Sequence, residues 1–326
     1  MSTLSGRPDH GSGAARALDS LRAVPPGAGA AVMATGILSV GMRLTQHAAL
    51  SAVLLTIAAA LWVVLALAFA VQLGYDRAGW QASAANPPAL TAVAATCVLG
   101  TRISLAGGQS LALALLAVAA VAWPWLLVSV MRHWKRPEPG AVFLVCVATQ
   151  SLAVLGGTLA LAGSGDWLAR AALVVGCLGV VLYAEALVRF DFRQVFTGAG
   201  DHWVAAGALA ISALAGSKLT ASPLWTGDAH RALRAATLVL LALDLAWYAV
   251  LAAAEIARPR PHYDLRRWST VFPLGMTAVA SLSTGQAAHV SWLHGLGTVL
   301  LWIAAAVWLL TAAGWLASVV RRRRAA

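Results

Sequence analysis

Apolar runs, each about 20 residues long, alternate along the chain with short polar and basic connections. The pattern predicts ten helical spans, at 27–44, 48–73, 89–106, 110–131, 141–162, 167–188, 202–219, 229–257, 268–286 and 291–320. Helices of this length cross a hydrocarbon core about 30 Å thick, whereas a membrane barrel would show short strands of alternating polarity. The expected fold class is therefore an all-α polytopic membrane protein.

The spans are of two kinds, and the kinds alternate. Odd-numbered spans carry small and hydroxyl-bearing residues: Thr35, Gly36 and Ser39, then Thr96 and Gly100, then Thr149, Ser151 and Gly156, then Gly207, Ser212 and Gly216, and finally Gly275, Thr277 and Ser281. Even-numbered spans are built from Leu, Val, Ala and Trp, as in LLTIAAALWVVLALAFAVQL. Large apolar side chains suit lipid, while small residues let backbones approach and tolerate water. Gly36, Gly100, Gly156, Gly216 and Gly275 follow one another at 64, 56, 60 and 59 residues. This recurrence predicts five parallel helical hairpins related by an axis along the membrane normal. Odd-numbered helices would form an inner ring around a central pore, lined by the small residues above, and even-numbered helices an outer ring. A compact bundle whose polar and apolar spans alternate without a repeat is the other reading of the same pattern.

The ninth span, WSTVFPLGMTAVASLSTGQ, is apolar but poorly suited to a smooth helix. Pro273 deletes a backbone hydrogen bond and, with Gly275 close by, predicts a kink near Val271 and Phe272. Phe272 then stands at the break. The span either lines a pathway or is a Pro-kinked packing helix whose neighbours satisfy the freed carbonyl.

Composition removes the soluble alternatives: of 326 residues, 60% are hydrophobic and 11% charged, and the mean hydropathy is +0.78. The net charge of +11 does not indicate a nucleic-acid partner, because the basic residues lie in short loops. One side collects Arg77, Arg132, Lys135, Arg136, Arg189, Arg193, Arg258, Arg260, Arg266, Arg267 and Arg321 to Arg324, together with the ends of the chain. The other holds Arg43, Arg102, Arg170, Lys218, Arg231 and Arg234. The positive-inside rule then puts both termini in the cytoplasm and the protein in the plasma membrane. Residues 1–24 read as a disordered cytoplasmic lead without a cleavable signal, 25–320 as the membrane domain, and 321–326 as a basic tail suited to anionic lipid.

No Asp or Glu falls in an odd-numbered span, and Arg43, Arg102 and Lys218 lie near the outward ends of three of them. They either give a pore a basic, anion-attracting mouth or snorkel to head groups. Asp244 is an acid within the eighth span, suited to proton coupling or to pairing with a hydroxyl or base at a helix contact. Cys97, Cys146 and Cys177 read as packing residues. His289 and His294 lack the spacing and acidic company of a metal site. No nucleotide loop, nucleophile elbow or other catalytic constellation is visible, so no enzyme activity, metal or cofactor is expected.

Five ordered patches, AVMATGILSVG at 31–41, PPALTAVAATCVLGTR at 87–102, TQSLAVLGG at 149–157, DHWVAAGALAISALAG at 201–216 and WSTVFPLGMTAVAS at 268–281, together resemble the tellurite-resistance/dicarboxylate transporter family, to which bacterial TehA and the plant slow anion channel SLAC1 belong. The resemblance implies a homotrimer in which each protomer wraps five hairpins around its own pore, closed by a Phe of the ninth helix. That Phe matches Phe272, which precedes Pro273 in the FPLG run. The implied function is channel-like passage of small anions through a Phe-occluded pore. The alternative is proton-coupled secondary transport of C4-dicarboxylates, or efflux of oxyanions such as tellurite or sulfite. Phe272 lies four residues after the predicted start of its span, so a mid-pore position requires an earlier helix start or a break at Pro273.

Overall fold

The computed structural model describes residues 18, 20–22, 24–260 and 263–325, among which there are helices and turns but no β-strand. The predicted lead, 1–24, falls largely outside the described residues. Ten long helices follow in order: α1 Gly29–Leu44, α2 Ala48–Tyr75, α3 Thr91–Ser104, α4 Gln109–Arg132, α5 Leu144–Leu161, α6 Asp166–Arg189, α7 Val204–Thr220, α8 Gly227–Ala257, α9 Trp268–Ala287 and α10 Trp292–Ala325. The last continues through Arg321 to Arg324, the predicted tail.

Burial follows the alternation of composition. The apolar windows containing α5 and α7 are 100% and 89% buried, against 17% for α2. Val53, Leu67, Val121, Val174, Ile256 and Leu310, all on even-numbered helices, are exposed. Surfaces of that kind are untenable in water and comfortable in hydrocarbon. Seven helical segments are long and apolar enough to cross a membrane, or eight if one bent pair counts as a single span. All five outer helices are among the seven. Sheltered α1 and α9 are not: α1 is apolar but only 16 residues long, and α9 carries Ser, Thr and Gly, which a helix surrounded by protein can hold where a lipid-facing one needs Leu.

The buried helices close on themselves. α1 packs on α3, α3 on α5, α5 on α7, α7 on α9, and α9 returns to α1, while α2, α4, α6, α8 and α10 each pack against the inner helix before them. A glycine stands at every contact in the ring. A Cβ on Gly36 would lie 2.8 Å from Val98 Cγ1, on Gly100 2.8 Å from Leu155 Cδ2, on Gly157 2.8 Å from Lys218 Cβ, on Gly207 2.8 Å from Pro273 Cγ, and on Gly275 2.9 Å from Ile37 Cγ2. Such approaches need bare backbone.

Each inner helix is preceded by a tight 3-10 turn: Pro26–Ala28, Pro87–Leu90, Gly140–Phe143, Asp201–Trp203 and Leu265–Arg267. α9 begins at Trp268, as predicted, with the turn Leu265–Arg267 adding three residues before it. Asp264 caps that turn, its Oδ1 accepting from Arg266 N at 2.8 Å. α9 itself runs uninterrupted through Pro273, whose ring fits against Gly207 on α7.

The sequence pattern missed the short helix Arg77–Ala84, which meets the 3-10 turn and α3 at 92°. Its start is marked by Asp76, whose Oδ1 accepts from Gly79 N at 2.9 Å.

Candidate functional site

A small void lies on the axis of the ring. All five inner helices wall it: Ile37 and Val40 from α1, Val98 and Thr101 from α3, Ser151 and Val154 from α5, Ile211 and Leu214 from α7, and Met276 from α9. It has room for the centre of a water molecule over only about 10 Å³, at the lower limit for holding one water. Its two hydroxyls are satisfied within their own helices, Thr101 donating to Cys97 O at 2.9 Å and Ser151 to Ala148 O at 2.7 Å. Phe272, 1% exposed, precedes Met276 by one helical turn and so shares its face of α9.

Of the small residues predicted to line a pore, Ser151 is in the void wall; most of the others meet neighbouring helices, and Ser212 and Ser281 bond within their own. Thr35 accepts a hydrogen bond from Trp308 Nε1, Thr96 from Trp62 Nε1 and Thr149 from Trp123 Nε1, each at 2.9 Å. In each case a Trp of an outer helix clasps a Thr of an inner one. Thr277 instead donates to Asp244 Oδ1 on α8 at 3.1 Å. Trp62, Trp123, Tyr183, Asp244 and Trp308 follow at intervals of 61, 60, 61 and 64 residues, so Asp244 occupies the place in the repeat that Trp holds on three of the other outer helices and Tyr183 on the fourth. Ser39 donates to Ser51 O at 2.7 Å, Ser212 to Ala208 O at 2.7 Å and Ser281 to Thr277 O at 2.8 Å. Gly36, Gly100, Gly207 and Gly275 serve the ring contacts, and Gly156 and Gly216 face α6 and α8. For the hydroxyls the physical reason is that a buried donor needs a partner, which a neighbouring helix or the helix's own carbonyl supplies and an apolar void does not; for the glycines it is close helix approach. The regular Trp spacing was the signal that sequence reading overlooked.

The three basic residues predicted at the outward ends separate. Lys218 lines a cavity of about 720 Å³ with Ser217, Ser283, Gln286, His230 and His289, and neither Arg43 nor Arg102 is in its wall. Arg102 is buried, its Nε donating to Ser51 Oγ at 2.9 Å, which fastens α3 to α2. Arg43 is exposed in the last turn of α1. Asp244 is enclosed, and its Oδ2 makes no hydrogen bond. Cys97 and Cys146 are buried, whereas Cys177 lies on the exposed side of α6 and is not a core packing residue.

A ring of five helices around an axial void is joined here by a sequence match along almost its whole length, since residues 23–316 match the family described as SLAC1, voltage-dependent anion channel. This chain belongs to that family. The family is described as one of anion channels. A 121-residue stretch is also 36% identical to an uncharacterized membrane protein of Mycobacterium tuberculosis, found in strains CDC 1551 / Oshkosh and H37Rv. The match covers 34% of this chain and 59% of those relatives, whose printed names give no substrate.

Proposed function

We propose that the chain conducts small anions along the axis of its inner ring, in a channel-like manner, and that the present conformation is closed at Phe272. The single observation that carries this reading is the axial void walled by every inner helix. Phe272 follows Ile211 by 61 residues, as Ile211 follows Ser151 by 60 and Val98 follows Ile37 by 61. Those four residues wall the void; Ser151 follows Val98 by the shorter interval of 53, and the recurring spacing supports an axis-facing position for Phe272, which lies outside the void's own wall. Its ring is large enough to fill a bore that already admits scarcely one water. The ten helices then act as five parallel hairpins crossing the plasma membrane with both termini cytoplasmic, and the protomers assemble as the homotrimer that the family resemblance implies. The cavity holding Lys218 would concentrate anions at the far end of the ring.

The test is anion current through purified protein in planar bilayers, with chloride, nitrate and malate in turn, comparing wild type with Phe272→Ala. Low wild-type current and a large increase in the variant are expected. Reversal potentials that follow the cation would overturn the reading. A second reading, proton-coupled transport of C4-dicarboxylates or efflux of oxyanions such as tellurite or sulfite, is favoured by one observation, the enclosed carboxylate of Asp244 with an unbonded oxygen. Dicarboxylate accumulation driven by an imposed proton gradient, with no current in either protein, would establish that alternative.

A further inference from the structure

At the end of the molecule where the inner helices begin, a cavity of about 500 Å³ opens between α8, α9 and α10. Its polar wall holds Arg260, Arg267 and Arg321 against one acid, Glu255. The acid is engaged through one oxygen: Arg267 Nη1 donates to Glu255 Oε1 at 2.8 Å, while Oε2 makes no hydrogen bond. Arg260 gives one nitrogen, Nη1, to Gly198 O, while its enclosed Nη2 makes no hydrogen bond and has Glu255 Oε2 only at 3.5 Å. Three guanidinium groups and one carboxylate leave an excess of positive charge, and Arg260 Nη2 is ion-paired with Glu255 but makes no hydrogen bond. The remaining lining on α10 is largely apolar, with Val307, Leu310, Gly314 and Ala317 beside Thr311 and a turn or more before Arg321, and Leu310 is 73% exposed. One cavity thus offers a guanidinium cluster and a greasy flank on an outward-facing helix.

We propose that this cavity binds the phosphodiester head group of an anionic phospholipid, with an acyl chain lying along the Val307 and Leu310 side of α10. Guanidinium forks match phosphate oxygens two at a time, and Arg is chosen over Lys where that geometry matters. A freely diffusing anion has no use for the apolar flank; a lipid does. The cavity does not share a lining residue with the axial void, so the proposal stands whether or not the ring conducts.

The experiment is native mass spectrometry of the intact purified protein in detergent, titrated with phosphatidylglycerol, phosphatidylcholine or inorganic phosphate. Wild type is compared with Arg260→Gln, Arg321→Gln and the charge control Arg170→Gln, near the start of α6 and outside the cavity wall. Phosphatidylglycerol should be retained by wild type and by Arg170→Gln, and bound about tenfold or more weakly by each of the other two variants. Arg321→Gln keeps the test decisive if Arg260→Gln, which also loses the Gly198 contact, fails to fold. Equal retention of phosphatidylglycerol and phosphatidylcholine, undiminished retention in Arg321→Gln, or saturation by inorganic phosphate without a lipid preference would each overturn the proposal.

Discussion

Thr277 Oγ1 donates to Asp244 Oδ1 across 3.1 Å, tying inner helix α9 to outer helix α8 at the point in the repeat where Trp62, Trp123 and Trp308 clasp their own threonines. A carboxylate in this position still serves as a hydrogen-bond partner, but it brings a second oxygen that a Trp does not. Asp244→Asn keeps an acceptor for Thr277 and removes the ionisable group. The variant should therefore melt no lower than wild type and carry undiminished anion current. Asp244→Ala, which orphans the Thr277 hydroxyl, should cost about 1–3 kcal/mol. Thermal melting and bilayer currents on the two variants check both statements. Loss of transport in Asp244→Asn at full stability would assign the carboxylate to coupling.

The indole clasps have a smaller, additive role. In Trp62→Phe, Trp123→Phe or Trp308→Phe the aromatic body remains and the N–H donor is lost. Thr96, Thr149 and Thr35 still donate to carbonyls in their own helices, Ala92, Val145 and Ala31. Each substitution should destabilise by about 0.5–1.5 kcal/mol, and the three sites, on separate helix pairs, should sum nearly additively in a triple variant. Melting temperatures in one fixed detergent provide the measurement.

Glycine substitutions separate the ring from its surroundings. A methyl at Gly275 meets Ile37 Cγ2 at 2.9 Å, and one at Gly207 meets Pro273. Gly275→Ala and Gly207→Ala should each cost about 1–3 kcal/mol, as overpacking in a tight core does. Gly74→Ala, near the end of α2 with nothing within 4 Å of the new carbon, should be neutral or stabilising by about 0.5–1 kcal/mol. Equal effects at all three positions would mean that the ring contacts are softer than their distances indicate.

Asp264 gives the start of α9 a pH dependence of known sign. Hydrogen bonds from the Arg266 side chain, opposed by partial burial and helped by the Arg266 backbone N–H, hold its carboxyl below the ordinary range. Since the folded value lies below the unfolded one, the stabilisation is complete above the ordinary carboxylate range and fades as pH falls through it. Wild type should lose more of its melting temperature between about pH 5 and about pH 3 than Asp264→Asn does. Indistinguishable pH profiles for the two proteins would remove Asp264 from this role.

Much of the fold could be read from the chain because lipid imposes a coarse rule. The predicted spans differ from the helices by a few residues, and the two alternating compositions become the two classes of burial. The readings that moved depend on the partner each side chain finds. Composition distinguishes a buried Thr from a lipid-facing Leu, but not whether Thr35 turns to a void or to Trp308. The outcome depends on which groups a closed ring brings within hydrogen-bonding reach, and those are residues as distant as 35 and 308. Likewise the helix Arg77–Ala84 has too little apolar surface to register in a hydropathy pattern, and only its Asp76 cap marks it.

The five glycine contacts have a consequence for how such a ring can change. Its girth is fixed by how near each helix stands to the next, and that spacing is held at five places by the lack of a side chain. Single carbon atoms inserted at those seams act as shims between staves. They would alter the calibre of the bore without altering a residue that faces it, so size tolerance and surface chemistry can be adjusted independently.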